Sequence, residues 1–217
     1  MSVADITYPF KSVAVITRLD RMVRWEPGTV GRLHAAALEL FATRGFEQTT
    51  AAEIAQSVGV TERTFFRHFS DKREVLFRGQ EILVGAFLAG VDAAPPDASP
   101  IEIAASAVQS GSAIFIDERR SSSRLRQSVI DQNPALQERE RHKLAGLADA
   151  VAKALRARGV DEPAATLAAQ TGRTVFAIAF AQWIGEGEQR SLGVIASDVL
   201  SELLVLAAAA RAAPPTA

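Results

Sequence analysis

Residues 44–72 read RGFEQTTAAEIAQSVGVTERTFFRHFSDK, and the fold turns on how this stretch is punctuated. Thr50-Ala51-Ala52-Glu53 is a capping box: the Thr50 hydroxyl accepts from the Glu53 amide while the Glu53 carboxylate reaches back to the Thr50 amide. The helix it opens turns Ala51, Ile54, Ala55 and Val58 inward and stops at Gly59. Thr61 caps a further helix almost at once. Two short helices joined by a glycine-containing turn form a helix-turn-helix, and the small Ala55 lets the two backbones approach closely. On the second of the pair, Phe65 and Phe69 lie four apart and face inward, while Arg63, Thr64 and Arg67 project around the other side. Aromatics behind and bases in front suit the major groove of DNA.

Upstream, Pro27-Gly28 is followed by Val30, Leu33, Ala37, Leu40 and Phe41 at three- and four-residue spacing, which predicts an amphipathic first helix over 29–44 that Gly45 ends. Residues 1–26 show no sustained helical period and are expected to form a loosely ordered extension. Residues 1–21 are expected to add nothing to the core, with Met22 a plausible alternative start; the rival is a flexible arm that uses Lys11, Arg18 and Arg21 to hold DNA. Downstream, Asp71-Lys72-Arg73-Glu74 predicts a fourth helix, carried by Val75, Leu76, Ile82, Leu83, Phe87 and Val91 to the break at Pro95-Pro96. It is expected to be the direct link from the head to the rest of the chain.

The remainder is helical in pattern. Ser99-Pro100-Ile101-Glu102 is a capping box with proline at the first helical position, opening a fifth helix towards Ile116. A polar break is expected at 119–123, then a short sixth helix over 124–130. Asn133-Pro134 starts a long seventh helix to Arg158. An eighth runs from about 161–163 through Trp183, and a ninth from Ser191 to about Arg211. The last two carry more apolar surface than one internal stripe requires. The fold class is therefore all-α, with about nine helices: a helix-turn-helix unit at 27–72, a larger helical domain at 73–211 and a disordered tail at 212–217.

Composition narrows the function. The 217 residues are 48% hydrophobic and contain no cysteine, which excludes disulfides, cysteine-based zinc sites and thiol catalysis. The net charge is -1, and residues 24–74 hold seven basic and seven acidic side chains, so any basic surface must come from placement. No uninterrupted apolar run approaches the roughly 20 residues that span a bilayer, and the N-terminus lacks a signal-peptide layout, so a cytoplasmic protein without a membrane partner is expected. His34, His68 and His142 fall on different helices without ligand-like spacing, and neither a metal nor a cofactor is expected.

The series Ala36-Ala37-Leu38-Glu39-Leu40-Phe41, Arg44-Gly45-Phe46, Thr49-Thr50, Glu53-Ile54-Ala55, Val58-Gly59-Val60 and Thr64-Phe65-Phe66-Arg67-His68-Phe69-Ser70-Asp71-Lys72 closely resembles the DNA-binding head of TetR-family regulators, in order and without gaps. The resemblance implies a transcriptional regulator, by family habit a repressor released by a ligand, that binds a pseudo-palindromic double-stranded operator as a homodimer through the eighth and ninth helices. It implies a DNA-contacting set of Thr49, Thr50, Thr61, Glu62, Arg63, Thr64, Phe66, Arg67, His68 and Lys72, with Thr50 donating to a phosphate and Lys72 touching backbone. Most relatives carry tyrosine where this chain has Phe66, which packs against sugar or a thymine methyl but donates nothing. A mostly apolar small-molecule effector is expected among the fourth to eighth helices near Phe87, Phe115, Phe176 and Phe180, with Arg124 or Gln170 orienting a polar group.

An enzyme is the competing class. Gly185-Glu186-Gly187 is a lone GxG between two helices where a nucleotide fold needs a strand before it, so it reads as a turn. Ser110-Gly111-Ser112 lacks the flanking pattern of a nucleophile elbow, and Asp117-Glu118 and Glu186 with Glu188 read as solvated carboxylates. A helical interaction module that does not bind DNA would explain the amphipathic helices but not the head motif.

Overall fold

The computed structural model describes residues 28–212; the readings placed on residues 1–26 and on 213–217 lie outside the described residues. Among the described residues there are nine α-helices and no strand: α1 (Thr29–Arg44), α2 (Ala51–Ser57), α3 (Glu62–His68), α4 (Gln80–Ala93), α5 (Pro100–Ser112), α6 (Arg120–Asp131), α7 (Pro134–Ala157), α8 (Ala164–Trp183) and α9 (Leu192–Ala212). Two 3-10 segments, Lys72–Phe77 and Asp117–Arg119, precede α4 and α6.

Both capping boxes form as the sequence dictates. Thr50 accepts from Glu53 N while Glu53 Oε2 accepts from Thr50 N at 2.8 Å, and Ser99 with Glu102 does the same at the start of α5 behind Pro100. Gly45 closes α1 at φ 92°, and Phe46 folds back so that its ring meets Phe41 edge-on at 5.0 Å. A left-handed residue there favours glycine because it has no Cβ to clash.

The buried side chains fall into two clusters. One lies in the body and joins α4, α5, α7, α8 and α9 through residues such as Leu83, Phe87, Ile103, Val151, Phe176 and Ile195. The other lies in the head, yet it takes in Val129 and Ile130 from the end of α6 and Leu136 from the start of α7, beside Leu33, Phe41, Ile54 and Phe65. The corner between α6 and α7 is thus part of the head's interior.

The structure corrects the expected fourth helix. Asp71 Oδ1 accepts from the amides of Arg73 and Glu74, but this cap starts only a 3-10 turn, and Gly79 at φ 91° separates it from α4. The cause is burial on all sides. Val75, Leu76 and Phe77 are consecutive, and every one is buried, whereas an amphipathic α-helix presents one stripe to a core. Three apolar neighbours fit a tight turn enclosed between α1 and the α6–α7 corner, and Gly79 then resets the chain direction.

Polar bonds fix the same turn from outside. Arg126 Nε donates to Leu76 O at 2.7 Å, and its Nη1 pairs with Glu140 at 2.9 Å. Arg139 pairs with Glu74 at 2.5 Å and Lys143 pairs with Glu74 at 3.2 Å. The guanidinium of Arg126 also lies over the Phe77 ring, 5.2 Å from its centroid.

The polar break expected at 119–123 is likewise corrected, because α6 begins at Arg120. Its first turns are held by their own arginines. Arg120 Nη2 reaches Asp117 at 2.7 Å and Arg190 O at 2.8 Å, and its Nη1 donates to Glu188 O. Arg124 donates to Ile184 O and Gly185 O at the end of α8. These guanidinium groups satisfy carbonyls that a helix terminus otherwise leaves open. The expected fifth helix also ends early, at Ser112 rather than near Ile116.

Two outcomes are expected. Leu136→Ala, far from the head in sequence, should destabilise the head by about 2–5 kcal/mol; chemical denaturation followed by head-specific hydrogen exchange would measure it, and protection lost only in the body would contradict the shared core. The second concerns His34, whose Nδ1 lies 2.8 Å from Val75 O. Burial holds its pKa below the ordinary value, Arg78 and Arg126 act in the same direction, and the bond to Val75 opposes them. A depressed imidazole leaves stability complete above the unfolded pKa of about 6.5 and removes it as pH falls from there through the folded value. The melting temperature should therefore drop on acidification across this window, and His34→Gln should flatten the drop; an equal slope in the variant would assign the effect elsewhere.

Candidate nucleic-acid interface and effector core

The outward face of α3 is built by what lies behind it. Phe65 is fully buried, with Phe69 at 5.2 Å between ring centroids, and this packing fixes the helix rotation so that Glu62, Arg63, Phe66, Arg67 and His68 are exposed. Phe66 keeps 50% of its surface exposed and meets Phe65 edge-on at 5.4 Å. A large apolar ring is thus held in solvent between two arginines on one helix face. Thr61 caps α3 by accepting from Thr64 N, and the two hydroxyls lie 3.1 Å apart. The turn before α3 is closed by Val60 N donating to Ala55 O, with Gly59 at φ 74°.

Thr50 is exposed at the N-terminus of α2, and its hydroxyl also donates to Glu53 Oε2 at 2.9 Å. A phosphate oxygen must therefore compete with that carboxylate for the proton. The amide of Thr50, then its hydroxyl, hold the Glu53 pKa below the usual carboxylate range.

Two expected DNA contacts are placed differently. Thr49 is fully buried, and its hydroxyl donates to Gly45 O at 2.9 Å and Leu40 O at 3.3 Å. It ties the α1–α2 turn together and does not face outward, because the chain must fold inward there to seat Phe46. Lys72 Nζ donates to Phe46 O at 2.7 Å and sits 4.1 Å from the centroid of the Phe46 ring. It is half-buried and fastens the 3-10 turn to the end of α1. Sequence spacing hid this contact, since Phe46 and Lys72 are 26 residues apart.

In the body, the predicted aromatic residues do meet. Phe87 and Phe176 lie 5.3 Å apart edge to face, Phe115 touches both Phe176 and Phe180, and Trp183 closes the chain against Phe115 at 5.8 Å. Beside Phe87 runs a crevice lined by Ala104, Ala107, Leu147, Val151, Gly172 and Arg173, too narrow to admit water. The two polar residues expected there differ in fate. Gln170 accepts from Arg173 Nε at 2.9 Å, whereas Arg124 is exposed and its guanidinium is taken up by Ile184 O and Gly185 O. Among the described residues no group of three or more histidine or acidic side chains is placed to hold a metal ion.

Residues 33–78 match the family model described as bacterial regulatory proteins, tetR family. The HTH-type transcriptional regulator TcmR of Streptomyces glaucescens is 42% identical over 74 residues, 34% of this chain and 33% of that protein. The match thus spans about a third of the curated relative. Among solved structures, the fatty acid degradation regulator FadR of Bacillus halodurans is 16% identical, covering 83% of this chain and 97% of its own at a TM-score of 0.51. A protein of Mesorhizobium loti assigned to the tetR family is 18% identical, with coverages of 82% and 95% and a TM-score of 0.52. At these identities the likeness to solved structures is one of fold.

Arg67→Ala should weaken operator binding by about 1–3 kcal/mol with little change in unfolding, as for a base-reading side chain. Retained affinity with full specificity in a competition series would take Arg67 out of the readout. Thr50→Ala should weaken all sequences alike and lower helix stability by about 1 kcal/mol through the lost cap.

Over residues 33–78 the capped helix-turn-helix thus matches the tetR family of bacterial regulatory proteins, and most of the chain shares its fold with the two solved structures.

Proposed function

We propose that the protein is a sequence-specific DNA-binding regulator, a repressor that works as a homodimer and is released from its operator by a small, mostly apolar ligand. The observation that carries this reading is the outward face of α3, where Arg63, Phe66 and Arg67 are exposed over a fully buried Phe65. Phosphate contacts from Thr50 and from the exposed Thr61 would fix register, while the arginines and Phe66 read base edges.

The pairing surface is the outer side of α8 and α9. Leu167, Ile178, Val194, Leu204, Val205 and Leu206 are exposed, the last two above 60%. By length and composition Leu192–Ala209 is apolar enough to cross a membrane, with a mean hydropathy of 1.9 and 17% of that window buried. Asp198 and Glu202 interrupt its surface, and four helices from two copies packed together would cover the rest. Two α3 helices in such a dimer must stand near one DNA turn, roughly 34 Å, or a multiple of it, so the operator would be pseudo-palindromic.

The effector would lodge in the aromatic core of Phe87, Phe115, Phe176 and Phe180. Because Gly79 breaks the chain before α4, the shift would reach the head mainly through α6. One end of that helix holds the α8 terminus with Arg124 and the loop after it with Arg120, and the other enters the head core with Val129 and Ile130. Regulation of this kind is a coupling free energy and must be reciprocal. A ligand that lowers operator affinity by some factor should itself bind the operator complex more weakly by that factor. Paired calorimetric titrations with and without operator DNA would measure this; equal ligand affinities, for a compound bound to the body, would remove the switch. DNA binding without salt dependence would count against the regulator reading itself.

A further inference from the structure

The outward face of α3 carries one acid among its bases. Glu62, Arg63, Phe66, Arg67 and His68 are exposed there, and Glu62 is the only carboxylate on the helix. At about 100° per residue, Glu62 and Phe66 stack one turn apart, with Arg63 and Arg67 stacked beside them. A negative charge on a surface turned towards phosphates weakens binding to every duplex, whatever its sequence. A carboxylate so placed discriminates, because it binds well only where the groove offers it a donor.

Glutamates near the start of other helices are engaged locally. Glu53 accepts from the Thr50 amide and hydroxyl and pairs with Arg44 at 3.5 Å. Glu102 accepts from the Ser99 amide and hydroxyl at 2.8 and 2.7 Å, and Glu162 pairs with Arg156 and accepts from Thr166 at 3.0 Å. Helix α3 is built differently. Its cap is Thr61 and the residue three on is Thr64, so two hydroxyls 3.1 Å apart stand where a capping box has its glutamate. Among the described residues the Glu62 carboxylate makes no hydrogen bond or ion pair, and the same holds for the guanidinium groups of Arg63 and Arg67. As a first-turn acid Glu62 also favours the helix dipole, and that role alone leaves base preference untouched.

An ionised carboxylate only accepts. In the major groove the donors are the exocyclic amines of cytosine and adenine, while guanine and thymine present acceptors. The adenine amine lies beside N7, an acceptor that repels a carboxylate, whereas the cytosine amine has only a C–H beside it on its own ring. Cytosine is therefore the base whose groove edge fits an acid best.

We propose that Glu62 is a specificity determinant of the DNA-reading face, accepting a hydrogen bond from the exocyclic amine of one cytosine in each operator half-site. Guanine or thymine at that position sets an acceptor against the carboxylate, so the residue that admits cytosine also excludes them. This inference rests on the reading of the chain as a sequence-specific DNA-binding regulator and adds a base identity to it.

The test selects binding sites for the full chain and for Glu62→Ala from one pool of randomised DNA duplexes. Each half-site of the wild-type consensus should hold a cytosine that Glu62→Ala recovers as any base, with the other positions unchanged. In the wild-type consensus, that cytosine is then replaced by its N4-methyl derivative, which still pairs with guanine but loses the amine hydrogen facing the groove. The exchange should weaken wild-type binding by about tenfold, the scale of one wrong base pair, and leave Glu62→Ala nearly unaffected. Glu62→Ala should also bind a duplex of unrelated sequence more tightly than the wild type does. The same consensus from both proteins, loss of preference at a base other than cytosine, or an equal response to methylation would overturn the role of Glu62 while leaving the regulator reading in place. Failure of the wild-type chain to enrich any consensus would overturn both.

Discussion

The burial of Val75, Leu76 and Phe77 between α1 and the α6–α7 corner is the constraint on which the arrangement of head and body depends. Three adjacent apolar side chains cannot all face one core from a regular amphipathic helix, so the segment tightens into a 3-10 turn and needs partners on more than one side. The head supplies one side and the corner with Ile130 and Leu136 supplies the other. The head cluster is incomplete without this turn, which ties the helix-turn-helix to the tip of α6 and the start of α7.

The polar contacts around the turn act by satisfying groups that would otherwise be stranded. Leu76 O accepts a hydrogen bond from Arg126, Phe46 O from Lys72, and the carbonyls at the end of α8 from Arg124. Each bridges elements distant in sequence and replaces water at a carbonyl. Glu74 has two cationic partners, Arg139 and Lys143, so the α7 side of the turn is fixed by charge as well as shape. Helix α6 thereby behaves as a strut with arginines at one end and an apolar tip at the other.

Much of this was legible from local signals. The capping boxes at Thr50 and Ser99, the glycine stops at Gly45 and Gly59, and the four-residue spacing of Phe65 and Phe69 each depend on neighbours within one turn, and each formed as read. What was not legible depends on long-range contacts. Nothing near Lys72 announces a bond to Phe46 O, and the polar run 119–123 resembles a loop until Arg120 finds carbonyls 68 and 70 residues away. Gly79 falls inside the span expected for the fourth helix, and its positive φ follows from the enclosure of the preceding turn, which the local pattern does not reveal. Val129 and Ile130 at the tip of a serine- and arginine-rich helix were the one local hint that α6 ends inside a core. The aromatic cluster was legible as composition, whereas Thr49 and Arg124 were misplaced because spacing does not tell which polar groups a backbone will claim.

The two ends of α6 differ in the kind of bond that holds them. At the α8 end the guanidinium groups bind mostly neutral carbonyls, while at the head end Arg126, Arg139 and Lys143 meet the carboxylates of Glu140 and Glu74. Dissolved salt screens charge pairs, and these side chains are partly open to solvent, so ionic strength loosens one end of the strut more than the other. Salt also weakens any protein–DNA contact by restoring counterions to the phosphates. For the regulator proposed above the two effects would point the same way, and the slope of operator affinity against salt would carry a contribution from head mobility. Counting phosphate contacts from that slope alone would overstate how many the protein makes.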